Sequence, residues 1–157
     1  MAELLLVGFF GACIGSFSSM LLYRLPEMRF NKSLTLYSPG SYCPNCKFSL
    51  GKWMLIPIFS YVIQKGKCSS CSRKIDSSYL LNELIHTIII LLIAVNIGIN
   101  IIGFIYYIIF TIFYILFFLD LKHLFLPIYL NVSLIFIGLV INLFFNLFTS
   151  YQEALLG

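Results

Sequence analysis

Long apolar runs separated by short polar breaks dominate this chain, and one longer polar segment interrupts them after the first run. The apolar runs fall at about residues 4–23, 79–97, 101–119 and 126–148. Each is close to the roughly 20 residues that an α-helix needs to cross a hydrocarbon core. Backbone polar groups find no water inside a bilayer, so spanning segments of this kind are helical. The pattern predicts an all-α membrane protein with about four transmembrane helices.

The polar segment between the first two runs covers residues 25–78 and carries most of the turn-forming residues. Its prolines and glycines predict short strands and turns rather than a long helix. An apolar island at residues 53–63 lies inside it. The island is too short to span a bilayer and contains Pro57, so an interfacial or half-buried position is expected. The resulting division is a first transmembrane helix at 1–24, a loop domain at 25–78 and the remaining helices at 79–157.

The composition leads to the same class of protein. The chain has 157 residues, of which 61% are hydrophobic and 10% are charged. Soluble domains are about 45–50% apolar and about 25% charged. A soluble fold of this size cannot bury so much apolar surface, so membrane lipid is an expected partner.

Positive charge is concentrated in the polar segment. Nine of the ten basic residues lie between positions 24 and 74, and segment 24–76 has a net charge of +7 against +4 for the whole chain. Nucleic-acid binding is one interpretation, but next to membrane helices the positive-inside rule is the better one, and no nucleic-acid partner is expected. Arg24 follows the first run and Glu3 precedes it, so the N-terminus should lie outside and the polar segment in the cytosol. Lys122 then falls on the cytosolic side as well.

Four cysteines in two CxxC pairs are the strongest chemical motif. Cys43 and Cys46 form the first pair, and Cys68 and Cys71 form the second after a linker of about 20 residues. This spacing is typical of a four-thiolate zinc site, although unligated thiols or two redox pairs remain alternatives. A site with four protein ligands is closed, so the zinc would be structural. Thiolates persist in a reducing compartment, which also favours the cytosol.

The remaining candidates are a cysteine, two acidic residues and a histidine in or next to apolar runs. Cys13 is interpreted as a small packing residue. Asp120 follows the third run at the membrane boundary and is a candidate catalytic residue, or otherwise a charge that reaches water beside Lys122. Glu83 and His86 lie on one face of the second helix. They are expected to make internal hydrogen bonds; an ion pair with the basic segment, a cofactor contact or a metal site are the alternatives.

Several short motifs together resemble the type IV prepilin peptidases, which are bifunctional leader peptidases and N-methyltransferases. The similarity covers essentially the whole chain. The residues that carry it are Gly15-Ser16-Phe17, Tyr23-Arg24-Leu25-Pro26, Cys43-Pro44, Cys46, Ile56-Pro57, Ser60-Tyr61, Gly66-Lys67-Cys68, Cys71, Ile75, Tyr79, Glu83, Asp120 and Leu126-Pro127.

The resemblance implies an intramembrane aspartic peptidase of the bacterial plasma membrane. Its substrates would be pilin-like precursors, including those of competence systems. The new N-terminus would be methylated from S-adenosylmethionine by the N-terminal cytosolic domain. Asp120 would be one of two catalytic aspartates.

Departures from the family pattern are Ser19 for asparagine, Leu80 for proline and Ile128 for the aspartate of a Leu-Pro-Asp triplet. The family's second catalytic aspartate belongs to a GxGD motif beyond Gly157. We therefore expect a truncated chain that is inactive as a peptidase unless a second fragment supplies GxGD. A non-catalytic zinc adaptor that binds pilin-like helices, or a protein with methyltransferase activity only, are the alternatives.

Overall fold

Residues 1–145 are described by the computed structural model, and within them the secondary structure is helical with no β-strand, which confirms the all-α prediction. The helices are α1 (Ala2–Glu27), α2 (Phe59–Ile63), α3 (Ser77–Asn96), α4 (Ile101–His123) and α5 (Ile128–Phe145), with a 3₁₀ turn at Lys52–Leu55. Three of them, α1, α3 and α4, are long and apolar enough to cross a membrane. The fourth predicted span, 126–148, begins with α5, and its last residues lie outside the described part of the chain.

The chain divides into two compact units, Met1–Thr111 and Ile112–Gly157. The first unit is built on α1 and α3, which pack against each other in antiparallel orientation. Gly11 and Gly15 of α1 lie directly against α3: a Cβ added at Gly15 would be 2.7 Å from the carbonyl oxygen of Asn82 and 2.7 Å from the Cα of Glu83. Small residues allow membrane helices to approach this closely. The small residues of the first apolar run therefore have a packing role.

Replacing Gly15 with alanine is expected to force α1 and α3 apart. The obstructing atoms belong to the α3 backbone and cannot rotate away, so we expect a loss of about 1–3 kcal/mol in unfolding free energy, measured by thermal unfolding in detergent. Gly138→Ala in α5 is the matched control, because a Cβ there meets nothing described within 4 Å. Equal melting temperatures for the two variants would contradict the tight contact.

Polar and apolar residues in the first unit are distributed inside out relative to a soluble protein. Ser18, Ser19, Asn82, Glu83 and His86 are buried between the helices. The outer faces of α1 and α3 are apolar and exposed, at Leu5, Leu6, Phe9, Phe17, Leu84, Ile88, Leu92 and Val95. Apolar outer faces of this kind suit a lipid solvent, in which polar side chains gain by bonding to each other inside the bundle. Asn82 and Ser19 do so, whereas the Ser18 hydroxyl is buried with no hydrogen-bond partner among the described residues.

Two short connections bracket α4, one before its start at Ile101 and one after its end at His123. Before α4, Gly98 has a φ of +95°, and the Asn100 carboxamide oxygen accepts the N–H of Gly103 at 2.9 Å, which caps the start of α4. The polar break expected between the runs 101–119 and 126–148 is shorter than the sequence suggests, because α4 continues to His123. Asp120 therefore lies in the last turn of a helix rather than in a loop.

The polar segment forms turns, as predicted, but the short strands that were expected do not form among its residues. Backbone pairing there consists of two isolated antiparallel bridges, Tyr42 with Ser49 and Lys67 with Lys74. Each bridge closes one CxxC turn. A turn of this size satisfies its own carbonyl and amide groups internally and leaves no run of residues to extend a ladder. The predicted strands were therefore wrong, and the fold of this segment depends on its two turns.

Candidate functional site

The two CxxC pairs have the same backbone conformation, related by a shift of 25 positions along the chain. In the first turn, the Cys43 N–H donates to the carbonyl of Phe48 and the Lys47 N–H donates to the carbonyl of Cys43, both at 2.9 Å. In the second turn, the Cys68 N–H donates to the carbonyl of Arg73 and the Ser72 N–H donates to the carbonyl of Cys68, again both at 2.9 Å. Lys47 and Ser72 both have positive φ, 59° and 56°. This repeated geometry presents both cysteines of each turn on one side.

The two turns bring all four thiols into one cluster. The Sγ atoms of Cys43 and Cys71 are 3.9 Å apart, those of Cys46 and Cys68 are also 3.9 Å apart, and all four lie within 4.8 Å of one another. Four sulfurs arranged tetrahedrally at the usual Zn–S distance of about 2.3 Å are about 3.8 Å apart. The donor set and its spacing therefore fit a tetrahedral zinc ion. Two independent redox pairs would not require the turns to meet.

Backbone amides point at the sulfurs and change how readily they ionise. The Arg73 N–H, followed by the Asn45 side chain, lowers the pKa of the Cys71 thiol to about 6. At Cys46 the N–H of Phe48 lowers the pKa, but removal from water and the three neighbouring thiols outweigh it and raise the pKa to about 11. Four thiols packed this closely cannot all ionise easily, because the thiolate charges repel each other. A bound cation would offset that repulsion and favour the thiolate form.

One polar side chain links the two turns outside the sulfur cluster. The Asn45 amide donates to the Sγ of Cys71 at 3.6 Å, and its carboxamide oxygen accepts a hydrogen bond from Arg73. Partners of this type orient thiolate ligands and hold their position. Cys13, by contrast, lies half-buried in α1 and does not belong to the cluster.

Arg24 anchors the loop before the first CxxC turn to the end of α1, a role that the sequence reasoning missed. Its guanidinium is buried and donates to four backbone carbonyls, those of Thr35 and Leu36 through one nitrogen and those of Pro39 and Gly40 through the other. Arginine is suited to this because its planar head carries five donors. The signals in the sequence were that Arg24 stands at the end of an apolar run and within the motif Tyr23-Arg24-Leu25-Pro26.

The buried polar residues between α1 and α3 form hydrogen bonds across the helix pair. The Asn82 amide donates to the Ser19 hydroxyl at 2.8 Å, and Ser19 donates to the Gly15 carbonyl at 3.1 Å. The His86 Nδ1 is 3.1 Å from the hydroxyl of Tyr107 in α4. Internal hydrogen bonding, which was the expected role of the Glu83 and His86 face, is therefore confirmed for His86.

Glu83 joins this network to the polar segment. Its carboxylate accepts the N–H of Ile58 at 2.6 Å, and the Ser16 hydroxyl bonds to the same carboxyl group. Ile58 has a φ of 63°, a conformation that a β-branched residue adopts only when its surroundings hold it there. Glu83 therefore fastens the middle of the apolar island to the second turn of α3, a contact between residues 25 positions apart in sequence.

Asp120 belongs to the second unit and lies in the last turn of α4, where it is exposed. Its backbone carbonyl accepts the N–H of Leu124, which has a φ of 46° and ends the helix. Two residues further on, the Lys122 amine lies 5.8 Å from the centre of the Phe118 ring. Asp120 is thus an exposed carboxylate at the end of a helix that is long and apolar enough to cross a membrane. Its place at the membrane boundary and its catalytic role remain predictions.

Comparison with known proteins gives a consistent family. Residues 9–97 match the Bacterial Peptidase A24 N-terminal domain. A prepilin leader peptidase/N-methyltransferase from Neisseria gonorrhoeae is 33% identical over an alignment of 166 positions. The alignment covers 94% of this chain and 58% of that protein. The protein of the same name from Legionella pneumophila is 31% identical and covers 98% and 59%. The one from Bacillus subtilis is 35% identical over 92 residues.

The chain spans just under three fifths of the length of the first two relatives. No solved structure matches it. The matched domain contains most of α1, the whole cysteine cluster and α3. With a domain match over more than half of its residues, the chain belongs to the bacterial A24 peptidase family, whose curated members are named prepilin leader peptidase/N-methyltransferase.

Proposed function

We propose that this chain forms part of a membrane-embedded prepilin leader peptidase and N-methyltransferase. The observation that carries the proposal is the similarity to proteins of that name over 94–98% of the chain. Three helices able to span a membrane and a four-cysteine cluster after the first of them agree with it. The substrates would be pilin-like precursor proteins.

We propose that Cys43, Cys46, Cys68 and Cys71 hold one zinc ion. The sulfur spacing and the amide groups directed at the sulfurs support this assignment. With four protein ligands the metal has no position for water, so it would hold the two turns together rather than take part in catalysis. The segment between α1 and α3 has little buried apolar surface of its own, and metal binding would supply its folding free energy.

The segment between α1 and α3 is proposed to face the cytosol, with the helices in the bacterial plasma membrane. Eight of the ten basic residues lie in this segment, and a ninth, Arg24, lies in the last turn of α1. Positive loops stay on the cytosolic side, and a basic precursor leader would stay there by the same rule. Substrate leader and cysteine module would thus meet on one face of the membrane.

Asp120 is proposed as one of two catalytic aspartates in leader cleavage. In aspartic hydrolysis two carboxyl groups share a proton; one activates water and the other protonates the leaving amine. The 157 residues contain no GxGD pattern, so the second aspartate would come from outside them. Methylation of the new N-terminal amine would use S-adenosylmethionine as the methyl donor, in keeping with the second half of the relatives' name.

The test is reconstitution of the chain in lipid with a pilin-like precursor, with and without a separately expressed fragment that carries GxGD. Mass spectrometry of the pilin N-terminus distinguishes intact, cleaved and methylated forms. We expect cleavage only with the fragment, followed by the mass increment of one methyl group when S-adenosylmethionine is present. Methylation of a pre-cleaved pilin without any cleavage would favour a methyltransferase-only protein. Binding with neither reaction would favour a non-catalytic adaptor.

A further inference from the structure

The apolar island at residues 53–63 presents large hydrophobic side chains to the surroundings although it lies in the most polar part of the chain. Trp53 is 83% exposed and Ile63 is 77% exposed. Leu55, Phe59 and Val62 are exposed beside them. An apolar cluster of this kind in a water-facing loop would be a liability, so it indicates a surface that is covered in the working protein.

The contact between Glu83 and Ile58 determines where the island lies. Glu83 is only 7% exposed and belongs to the second turn of α3, which begins at Ser77. Its carboxylate accepts the Ile58 N–H at 2.6 Å, and Pro57, which precedes Ile58, is buried. The island is therefore attached at the end of a helix that is long and apolar enough to cross a membrane. That end is where a bilayer changes from hydrocarbon to headgroups.

Exposed lysines flank the island on both sides. Lys52 immediately precedes Trp53, and Lys65 and Lys67 follow the end of α2. Tryptophan is enriched at the membrane interface, and lysine amines near the surface attract anionic headgroups with about 1 kcal/mol each. Apolar side chains with a cationic rim match the surface of an anionic leaflet in both charge and depth.

We propose that residues 53–63 form a membrane-interface element that inserts its exposed side chains between the lipids of an anionic leaflet, and that Glu83 sets its position by holding Ile58. The element would fasten the cysteine cluster to the membrane surface at the end of α3. The CxxC turns would then lie against the leaflet instead of extending freely into water.

Trp53 is the only tryptophan in the chain, so its fluorescence reports on the island alone. The full chain is reconstituted in vesicles of phosphatidylcholine and phosphatidylglycerol. The acyl chains carry bromine either near the headgroup (shallow) or near the terminal methyl group (deep). An interfacial helix inserts about 5–10 Å, so we expect about twofold quenching by the shallow bromines and weaker quenching by the deep ones. Trp53→Phe combined with Ile88→Trp places the probe on the outer face of α3 and should reverse that order.

Two further variants test the two parts of the proposal. Glu83→Ala should reduce bromine quenching and increase quenching by aqueous acrylamide, whereas Glu83→Gln should behave like the wild type because its amide oxygen still accepts the Ile58 N–H. Should Glu83→Ala fail to fold, the surface variant Lys52→Glu with Lys65→Glu still tests the lipid contact, and it should lower bromine quenching in anionic vesicles.

Acrylamide quenching of wild-type Trp53 as strong as that of free tryptophan would overturn the proposal. Protection of Trp53 only after addition of a pilin-like precursor would also overturn it, in favour of a protein partner.

Discussion

Replacing Cys43 with serine is expected to release the metal and unfold the segment between α1 and α3. A structural zinc ion contributes an apparent 10–16 kcal/mol or so, about as much as the whole stability of a small domain. Cys43 is buried, and its sulfur is 3.9 Å from that of Cys71. Serine neither reaches the metal with a soft ligand nor carries charge, so the remaining thiols cannot hold the ion in a closed site.

Elemental analysis of the purified protein in detergent measures this effect directly. We expect about one zinc ion per wild-type chain and almost none in Cys43→Ser. Proteolysis within residues 41–75 should become rapid while the helical signal of the membrane part remains. Cys13→Ser is the matched control, because Cys13 is the one cysteine outside the cluster. Equal zinc in the Cys43 and Cys13 variants would refute the site, and a different metal in the wild type would refute the identity of the ion.

Replacing Asp120 with asparagine is expected to abolish leader cleavage when the GxGD fragment is present. Asparagine keeps the size of the side chain but can neither accept nor give the proton that the two-carboxylate mechanism moves. Proton transfer by a positioned side chain contributes about 10²–10⁴-fold to the rate, so a loss at least that large is expected. Methylation of a pre-cleaved pilin should be unaffected, because that activity is proposed for a different part of the protein.

Asp76→Asn is the control for this variant, since it makes the same chemical change at another aspartate. Asp76 accepts the Ser78 N–H at 2.8 Å and caps α3. Asparagine caps helices about as well as aspartate, so its cleavage rate should match that of the wild type. Mass spectrometry of the pilin product reads both variants. Cleavage by Asp120→Asn at the wild-type rate would remove Asp120 from the catalytic pair.

The helices and the cysteine cluster were predictable because both depend on local patterns. A run of about 20 apolar residues has few alternatives to a spanning helix. A CxxC turn forms from a few neighbouring residues, so the two turns could be recognised one at a time. Even here the prediction of flanking strands was wrong. Two self-contained turns need only one bridge each, between Tyr42 and Ser49 and between Lys67 and Lys74.

Contacts between residues distant in sequence could not be predicted. The pattern of charges described Arg24 as one more positive residue of a cytosolic loop, whereas the structure shows its guanidinium buried against four carbonyls. The tight fit of Gly15 against Asn82 and Glu83 likewise became visible only when α1 and α3 were paired.

The sequence by itself determined the family resemblance, the class of fold, the membrane character of α1, α3 and α4 and the four cysteines of the cluster. These features follow from composition and from short spacings, which act within a turn or a helix. Only the tertiary structure decided that the four thiols of the two turns lie within 4.8 Å of one another and that Glu83 holds the apolar island beside α3. The reason is physical: a buried polar group takes whichever partner the packed helices bring within reach, and that choice depends on the whole arrangement rather than on neighbouring residues.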